Sequence, residues 1–186
     1  MDGAYIQKVL EGDIDSFKYL VDKYKDMSFS IASSVLKDEY ESEDAVQDAF
    51  IKAFRNLKSF RNKSAFSTWL YKIVVNESLG RLRKRKQTKI VSNQEYDQGY
   101  DMESDSIVFS LAKEEQKRYI NQTLEEMDGK ESLLLRLFYL NENSLNEIHE
   151  ITGFSLSNIR VILYRARKNF YSLLNSELKQ EIRSIL

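Results

Sequence analysis

Proline is absent from this chain of 186 residues, and only six glycines occur in it. These two residues most often interrupt regular structure and form the tight turns between strands. A chain that has almost none of them favours long helices joined by short polar breaks. The sequence therefore predicts an all-α fold.

The length allows one ordinary domain or two small ones. Acidic side chains gather in residues 89–106, KIVSNQEYDQGYDMESDS, and the helical periodicity of the preceding segments is lost there. Such a segment extends by self-repulsion more readily than it packs. We therefore predict two small helical domains, residues 1–88 and 107–186, joined by a flexible acidic linker over 89–106.

Three helices are predicted before the linker. Apolar residues spaced three and four apart indicate one helix over residues 16–36, either continuous or broken near Ser28. The same pattern returns over 41–60, and again from Phe66 until the chain reaches the cationic run RLRKRK at 81–86. We expect each of these helices to bury one face.

A helix-turn-helix is predicted in the second domain. Ser144 is placed to cap a short helix over 145–151, with Glu147 as its capping-box partner. Thr152, Gly153 and Phe154 then supply a tight turn before a second helix that starts near Ser155. Two helices joined by a glycine-containing turn are the layout of this DNA-binding motif.

The second helix of this motif divides into an apolar side and a basic side. The apolar side carries Ile159, Leu163 and Ala166, whereas the basic side combines cations with an amide, hydroxyls and a short aliphatic group. This combination suits the neutralisation of phosphates and the reading of base edges in a major groove. A solvated helix face is the alternative. The candidates are Ser155, Ser157, Asn158, Arg160, Val161, Tyr164, Arg165 and Lys168.

Several classes of function are disfavoured by composition. The chain has no cysteine and a single histidine, His149, so it cannot assemble the common zinc sites, and we expect no metal and no cofactor. His149 is expected to be partly buried and hydrogen-bonded. No catalytic residues are predicted, and no apolar stretch is long enough to span a bilayer. A cytoplasmic protein without membrane insertion is expected.

Three segments resemble the bacterial RNA polymerase sigma factors. The stretch SLNEIHEITGFSLSNIRVILYRARKNF (144–170) is similar to their promoter-reading C-terminal region. The stretches ESEDAVQDAFIKAFRNLKSF (41–60) and SAFSTWLYKIVVNESLGRLRKRK (64–86) are similar to their N-terminal conserved region. The short chain resembles the extracytoplasmic-function (ECF) group in particular.

The resemblance implies partners and residue roles. It implies binding to core RNA polymerase through Asp44, Gln47 and Asp48, and recognition of promoter DNA at two elements. The −35 element would be read by the basic helix described above. The −10 element would be recognised and melted by Arg61, Asn62, Lys63, Ser64, Asn76, Arg81, Arg83, Lys84, Arg85 and Lys86. An anti-sigma factor is a further expected partner.

Two other functions compete with a sigma factor. A conventional helix-turn-helix regulator would bind duplex DNA without the polymerase, and its N-terminal helices would sense a ligand or form a dimer. A helical adaptor would have no DNA role, and its basic surfaces would be incidental. Binding to core polymerase distinguishes a sigma factor from both alternatives.

Overall fold

Every regular element is a helix in residues 2–88 and 113–185, which are the part of the chain that the computed structural model describes. The all-α prediction is confirmed for these residues. The predicted linker over 89–106 and the adjoining residues 107–112 lie outside them. The first helical group contains α1 (Asp2–Leu10), α2 (Phe17–Leu36), α3 (Glu39–Arg55) and α4 (Phe66–Thr88). The second contains α5 (Lys113–Glu126), α6 (Gly129–Leu135), α7 (Leu145–Thr152) and α8 (Leu156–Ile185).

Helices α2, α3 and α4 pack against one another and form the core of the first group. Three alanines, Ala45, Ala49 and Ala53, are fully buried along α3. Their small side chains let the neighbouring backbones approach closely. Larger residues from the other two helices fill the remaining space, among them Leu20, Ile31, Leu36, Leu70, Tyr71 and Val74.

The observed helix ends differ from the predicted ends where local hydrogen bonds decide them. Helix α2 is continuous through Ser28. Helix α3 begins at Glu39, because the Asp38 carboxylate accepts a hydrogen bond from the Glu41 amide at 2.9 Å. It ends at Arg55, and a 3-10 helix over Leu57–Ser59 follows it. The single helix expected over 41–60 is therefore wrong at both ends.

The predicted helix-turn-helix is present. The Ser144 hydroxyl accepts a hydrogen bond from the Glu147 amide at 3.3 Å, and the Glu147 carboxylate accepts one from the Ser144 amide at 2.9 Å. These reciprocal bonds form the capping box that starts α7. Gly153 ends α7 in the left-handed conformation, with a φ of 74°, which a glycine adopts without strain. Helix α8 follows this turn and packs against α7.

Ser144→Ala is expected to lower the free energy of unfolding by about 1 kcal/mol, because it removes one partner of the capping box. Thermal unfolding followed by circular dichroism measures the loss. Ser144→Thr is the matched control, since threonine keeps the hydroxyl and should retain most of the stability. Equal destabilisation by the two variants would contradict a capping role for this hydroxyl.

The two helical groups are in contact. Helix α7 packs on α4, and α6 packs on α2. The hydroxyls of Ser34 and Ser132 lie 3.3 Å apart across the second contact, and Lys37 Nζ donates to the Glu125 carbonyl at 2.6 Å. Gly129 is so close to α2 that a Cβ atom there would lie 2.6 Å from the Ser34 carbonyl oxygen. The contact thus depends on a glycine at the start of α6.

Candidate polymerase and nucleic-acid interfaces

Helix α8 presents the predicted basic face to solvent. Ile159, Leu163 and Ala166 are buried against the rest of the chain, as the periodicity predicts. The opposite side is exposed, and 58% of the surface of Tyr164 and 49% of that of Val161 are accessible. All eight predicted −35 residues are exposed: Ser155, Ser157, Asn158, Arg160, Val161, Tyr164, Arg165 and Lys168.

Local contacts order part of this face. The Ser155 hydroxyl accepts a hydrogen bond from the Asn158 amide at 3.3 Å, so Ser155 caps the start of α8. Lys168 Nζ lies 5.3 Å from the centre of the Tyr164 ring, within the range of a cation–π contact. Among the residues that the structure describes, no carboxylate pairs with Arg160, Arg165 or Lys168. These cations remain available to phosphates.

The acidic face of α3 lies against the basic end of α4. Arg81 is within 2.5 Å of an Asp48 carboxylate oxygen and 3.6 Å from one of Asp44. One turn further along, Arg85 is 3.6 Å from Glu41. The structure therefore brings residues predicted to bind the polymerase into contact with residues predicted to bind the −10 strand. Gln47 is exposed beside them on α3.

The predicted −10 loop lies between the 3-10 helix and α4, and it contacts the second helical group. Arg61, Asn62 and Lys63 are exposed, and Asn62 adopts a left-handed φ of 53°. Asparagine tolerates this conformation better than most residues. Ser64 is half-buried, and its hydroxyl donates to a carboxylate oxygen of Glu150 in α7 at 3.2 Å. The loop thus contacts the helix-turn-helix directly.

The remaining predicted −10 residues lie along α4. Asn76, Arg83 and Lys84 are exposed, whereas Arg85 is half-buried by its contact with α3. Lys86 belongs to α4, but its side chain lies outside the described part. Asn76 lies about one and a half turns of helix before Arg81, the first residue of the cationic run at 81–86, so it is set apart from that run.

Asn76 instead lines an open recess of about 330 Å³. Trp69 and Ile73 supply its apolar surface, and polar side chains from α3, the 3-10 helix and α4 surround them. The polar residues are Lys52, Asn56, Ser59, Asn76 and Glu77. Lys52 Nζ and a Glu77 carboxylate oxygen are 2.5 Å apart and form an ion pair.

Trp69 belongs both to the core and to this recess. Its ring centre lies 5.4 Å from that of Phe60 and 5.7 Å from that of Phe66, so an aromatic cluster holds the indole in place. The apolar spacing of α4 predicts only the core contact. The recess residues come from three separate segments, and no pattern within one segment could have indicated them.

The single histidine and the acidic side chains bear on the expectation that the chain holds no metal. In the part of the chain that the structure describes, these side chains form no group of three or more that could hold a metal ion. His149 is exposed, which contradicts the expectation of partial burial, because it lies in the last turn of α7 on the outer side. The expected hydrogen bond is present, since His149 Nδ1 is 2.6 Å from the Phe154 carbonyl oxygen.

Comparison with known proteins assigns the chain to a protein family. Residues 20–88, which contain most of α2 and all of α3 and α4, match the family model of Sigma-70 region 2. The ECF RNA polymerase sigma factor SigW of Bacillus subtilis is 32% identical over 170 residues, covering 88% of this chain and 91% of its own length. The chain belongs to the ECF RNA polymerase sigma factors.

Two further comparisons agree with this assignment. The ECF RNA polymerase sigma-E factor of Escherichia coli K12 is 30% identical over 174 residues, covering 90% of this sigma factor and 91% of the relative. The sigma factor RpoE of Bartonella quintana, solved with the anti-sigma factor NepR, shares the fold with a TM-score of 0.63. It is 23% identical, with 86% of this chain and 96% of the other covered.

Family membership decides between the functions that the sequence left open. The chain is a sigma factor that directs promoter-specific transcription initiation, and a conventional regulator that acts without polymerase is not favoured. Sigma factors are transcription initiation factors. Within the described residues, no helix has both the length and the apolar character that a bilayer crossing requires.

Proposed function

We propose that this sigma factor uses three separate surfaces to start transcription. The exposed face of α3, with Asp44, Gln47 and Asp48, contacts core RNA polymerase. The loop over 61–64, the adjoining recess and the basic end of α4 hold the melted −10 strand. The outer face of α8 reads the −35 duplex.

The exposed face of α8 is the observation that supports binding of the −35 element. Its cations are held on a helix whose other side is buried, so the face is rigid and open to a major groove. Arg160, Arg165 and Lys168 would bind phosphates and base edges. The apolar parts of Val161 and Tyr164 would contact thymine methyl groups. The short α7 would lie across the DNA backbone, as the first helix of this motif does.

The recess beside Trp69 supports the proposal for the −10 element. A base that leaves the duplex loses stacking, and an indole surface restores part of that stabilisation. The amides of Asn56 and Asn76 can donate to and accept from the edge of a base. The loop cations Arg61 and Lys63 are next to this region in the chain and would attract the strand's phosphates.

Trp69 fluorescence is expected to fall when the −10 strand binds, because a stacked base quenches the indole. This is the single tryptophan of the chain, so the wild-type protein reports on the recess without any substitution. The probe is a single-stranded oligonucleotide that carries the non-template −10 region of a promoter transcribed by the holoenzyme. The titration is made with core polymerase bound, and the polymerase signal alone is subtracted.

An oligonucleotide of the same composition in scrambled order is the control for this titration, and it should leave the fluorescence nearly unchanged. Asn76→Ala should weaken the response to the correct strand by about tenfold, if the amide contributes one hydrogen bond of about 1.5 kcal/mol to the base. Equal quenching by both oligonucleotides would exclude a base-specific role for the recess.

The sigma factor is proposed to act in the cytoplasm and to be regulated by an anti-sigma factor. The similar fold of RpoE, which was solved with the anti-sigma factor NepR, supports the second point. We propose the domain boundaries 1–88 and 107–186, with the acidic segment 89–106 as a tether that lets the two DNA-reading domains reach separate elements. No metal or cofactor is part of this proposal.

Run-off transcription tests the proposal. Purified chain and core polymerase are incubated with genomic promoter fragments, and transcripts are mapped to their start sites. Transcripts that begin a fixed distance from a −35 and −10 pair, and that require the added chain, are expected. A chain that binds duplex DNA tightly but neither binds core polymerase nor yields transcripts would support the regulator instead.

A further inference from the structure

We propose that the contact between the two helical groups is a closed state of the sigma factor, in which α7 blocks the −10 loop while the −35 face of α8 stays accessible. This inference rests on the proposed roles of the 61–64 loop and α8. It proposes that this contact regulates DNA binding, and that the −35 duplex is bound before the melted −10 strand. Upstream duplex can be bound in the closed state, whereas the melted strand requires opening.

Two carboxylates of α7 face the start of α4. Ser64 donates to Glu150 at 3.2 Å, and Thr68 donates to Glu147 at 3.3 Å. Thr68 is fully buried by this contact and its own helix packing. A third hydrogen bond joins the Tyr71 hydroxyl to the Asn141 side chain at 3.4 Å. A strand that follows the loop onto α4 would have to displace these groups.

These groups hinder the DNA strand by their negative charge as well as by their size. Glu147 is held in place by its bonds to the Ser144 amide and hydroxyl. These bonds, led by the one from the Ser144 backbone, lower the pKa of the Glu147 carboxyl, so it remains ionised at neutral pH. Phosphates that approach the loop would meet fixed negative charge. The closed contact therefore repels the strand that the loop is proposed to hold.

The second DNA surface is not covered in the same way. The side chains of Arg160, Arg165 and Lys168 are exposed on the side of α8 that faces away from the buried stripe. A duplex could therefore reach this face without separating the two groups. The block is therefore one-sided: α7 covers the −10 loop, and the −35 face of α8 stays exposed.

The contact has features that favour reversible opening. Across the interface, Lys37 and Arg136 are close enough for their charges to repel. Burial lowers the pKa of Lys37, and the nearby Arg136 guanidinium lowers it further. Arg136 itself is only 4% exposed. Buried apolar side chains shared by the two groups and the carboxylates of Asp128 and Glu125 near Lys37 oppose this repulsion. Hydrogen bonds, such as the one from Lys37 to the Glu125 carbonyl, also oppose it, and water can replace them on opening.

A disulfide between α2 and α6 tests the closed state at a distance from both DNA surfaces. Ser34 and Ser132 are buried with their hydroxyls 3.3 Å apart, and the chain has no native cysteine. Ser34→Cys with Ser132→Cys therefore places two thiols close to bonding distance. Oxidation locks the closed state, and reduction releases it. Each single variant, treated identically, controls for oxidation itself.

The locked protein should bind the −10 oligonucleotide at least tenfold more weakly than the reduced protein, with affinity measured by fluorescence anisotropy. Binding of both forms to a −35 duplex should agree within about twofold, because the duplex site is open in either state. Equal affinity of the two forms for the −10 strand would overturn the closed state. A parallel loss of −35 binding would overturn its one-sidedness.

Gly129→Ala should have the opposite effect. The added methyl group would clash with the Ser34 carbonyl, whereas alanine suits the first turn of α6, so the contact is weakened without damage to the helix. This variant should bind the −10 strand more tightly than wild type in the absence of polymerase. Gly80→Ala is the matched control, since a Cβ there meets nothing within 4 Å. Unchanged binding by Gly129→Ala would also overturn the proposal.

Run-off transcription separates this inference from the proposed function. The reduced double-cysteine protein should support transcription with core polymerase, whereas the oxidised protein should not. If both forms transcribe equally, only the closed state is wrong. If neither the reduced protein nor the wild type yields a transcript or binds core polymerase, the proposed function itself is wrong.

Discussion

Replacing Arg165 and Lys168 together by alanine is expected to lower the affinity for a −35 duplex by about 100-fold. Both side chains are exposed on α8, so their loss should not affect folding. A hydrogen bond between a cation and a phosphate contributes about 1.5–3 kcal/mol, and each 1.4 kcal/mol corresponds to about tenfold in affinity. Two such contacts therefore account for the expected loss.

The salt dependence makes this result specific. Each phosphate contact releases counterions and contributes about 0.9 to the slope of log K against log salt concentration, so the double variant should reduce the slope by about 2. The control is Lys18→Ala with Lys25→Ala, which removes two exposed cations from α2 and changes the net charge equally. An unchanged slope would mean that Arg165 and Lys168 do not contact phosphates.

Asp48→Asn is expected to weaken binding to core polymerase by about 10- to 100-fold, the effect of losing one charged contact of about 1.5–3 kcal/mol. The structure complicates this result, because Asp48 also pairs with Arg81. A partly exposed ion pair of this kind contributes no more than about 1 kcal/mol to folding. The loss of the pair alone therefore cannot account for a 100-fold effect on binding.

Arg81→Gln separates the two roles of Asp48. It breaks the same ion pair and leaves the carboxylate in place, so it should retain polymerase binding and reduce binding to the −10 strand. If Arg81→Gln and Asp48→Asn impair polymerase binding equally, then Asp48 acts by holding α3 against α4 and does not contact the polymerase. Surface plasmon resonance with immobilised core enzyme measures both variants, and Gln47→Ala tests the neighbouring uncharged contact.

The ion pairs between α3 and α4 make charge reversal at Asp48 an ambiguous test. Asp48→Lys would place a second cation beside Arg81, and the repulsion would disturb both helices at once. Loss of polymerase binding and of DNA binding in that variant would therefore not show which contact was lost. Neutral substitutions avoid this ambiguity, and they are the better probes wherever two predicted sites share an ion pair.

The elements that depend on neighbouring residues could be predicted from the amino-acid sequence. Helix α8 and its exposed face follow from the period of Ile159, Leu163 and Ala166, because a helix returns to the same side every three to four residues. The start of α7 follows from Ser144 and Glu147, whose hydrogen bonds are local. The absence of proline allowed long helices such as α8 to form without interruption.

Other features depend on side chains that are distant in the chain, and only the tertiary structure decided them. The recess at Trp69 combines α3, the 3-10 helix and α4, and Arg81 meets Asp48 only because two helices pack together. The approach of Glu150 to Ser64 is of the same kind. Periodicity and capping describe what one segment does by itself. Which polar groups meet across segments depends on how the buried faces fit together, and no single segment contains that information.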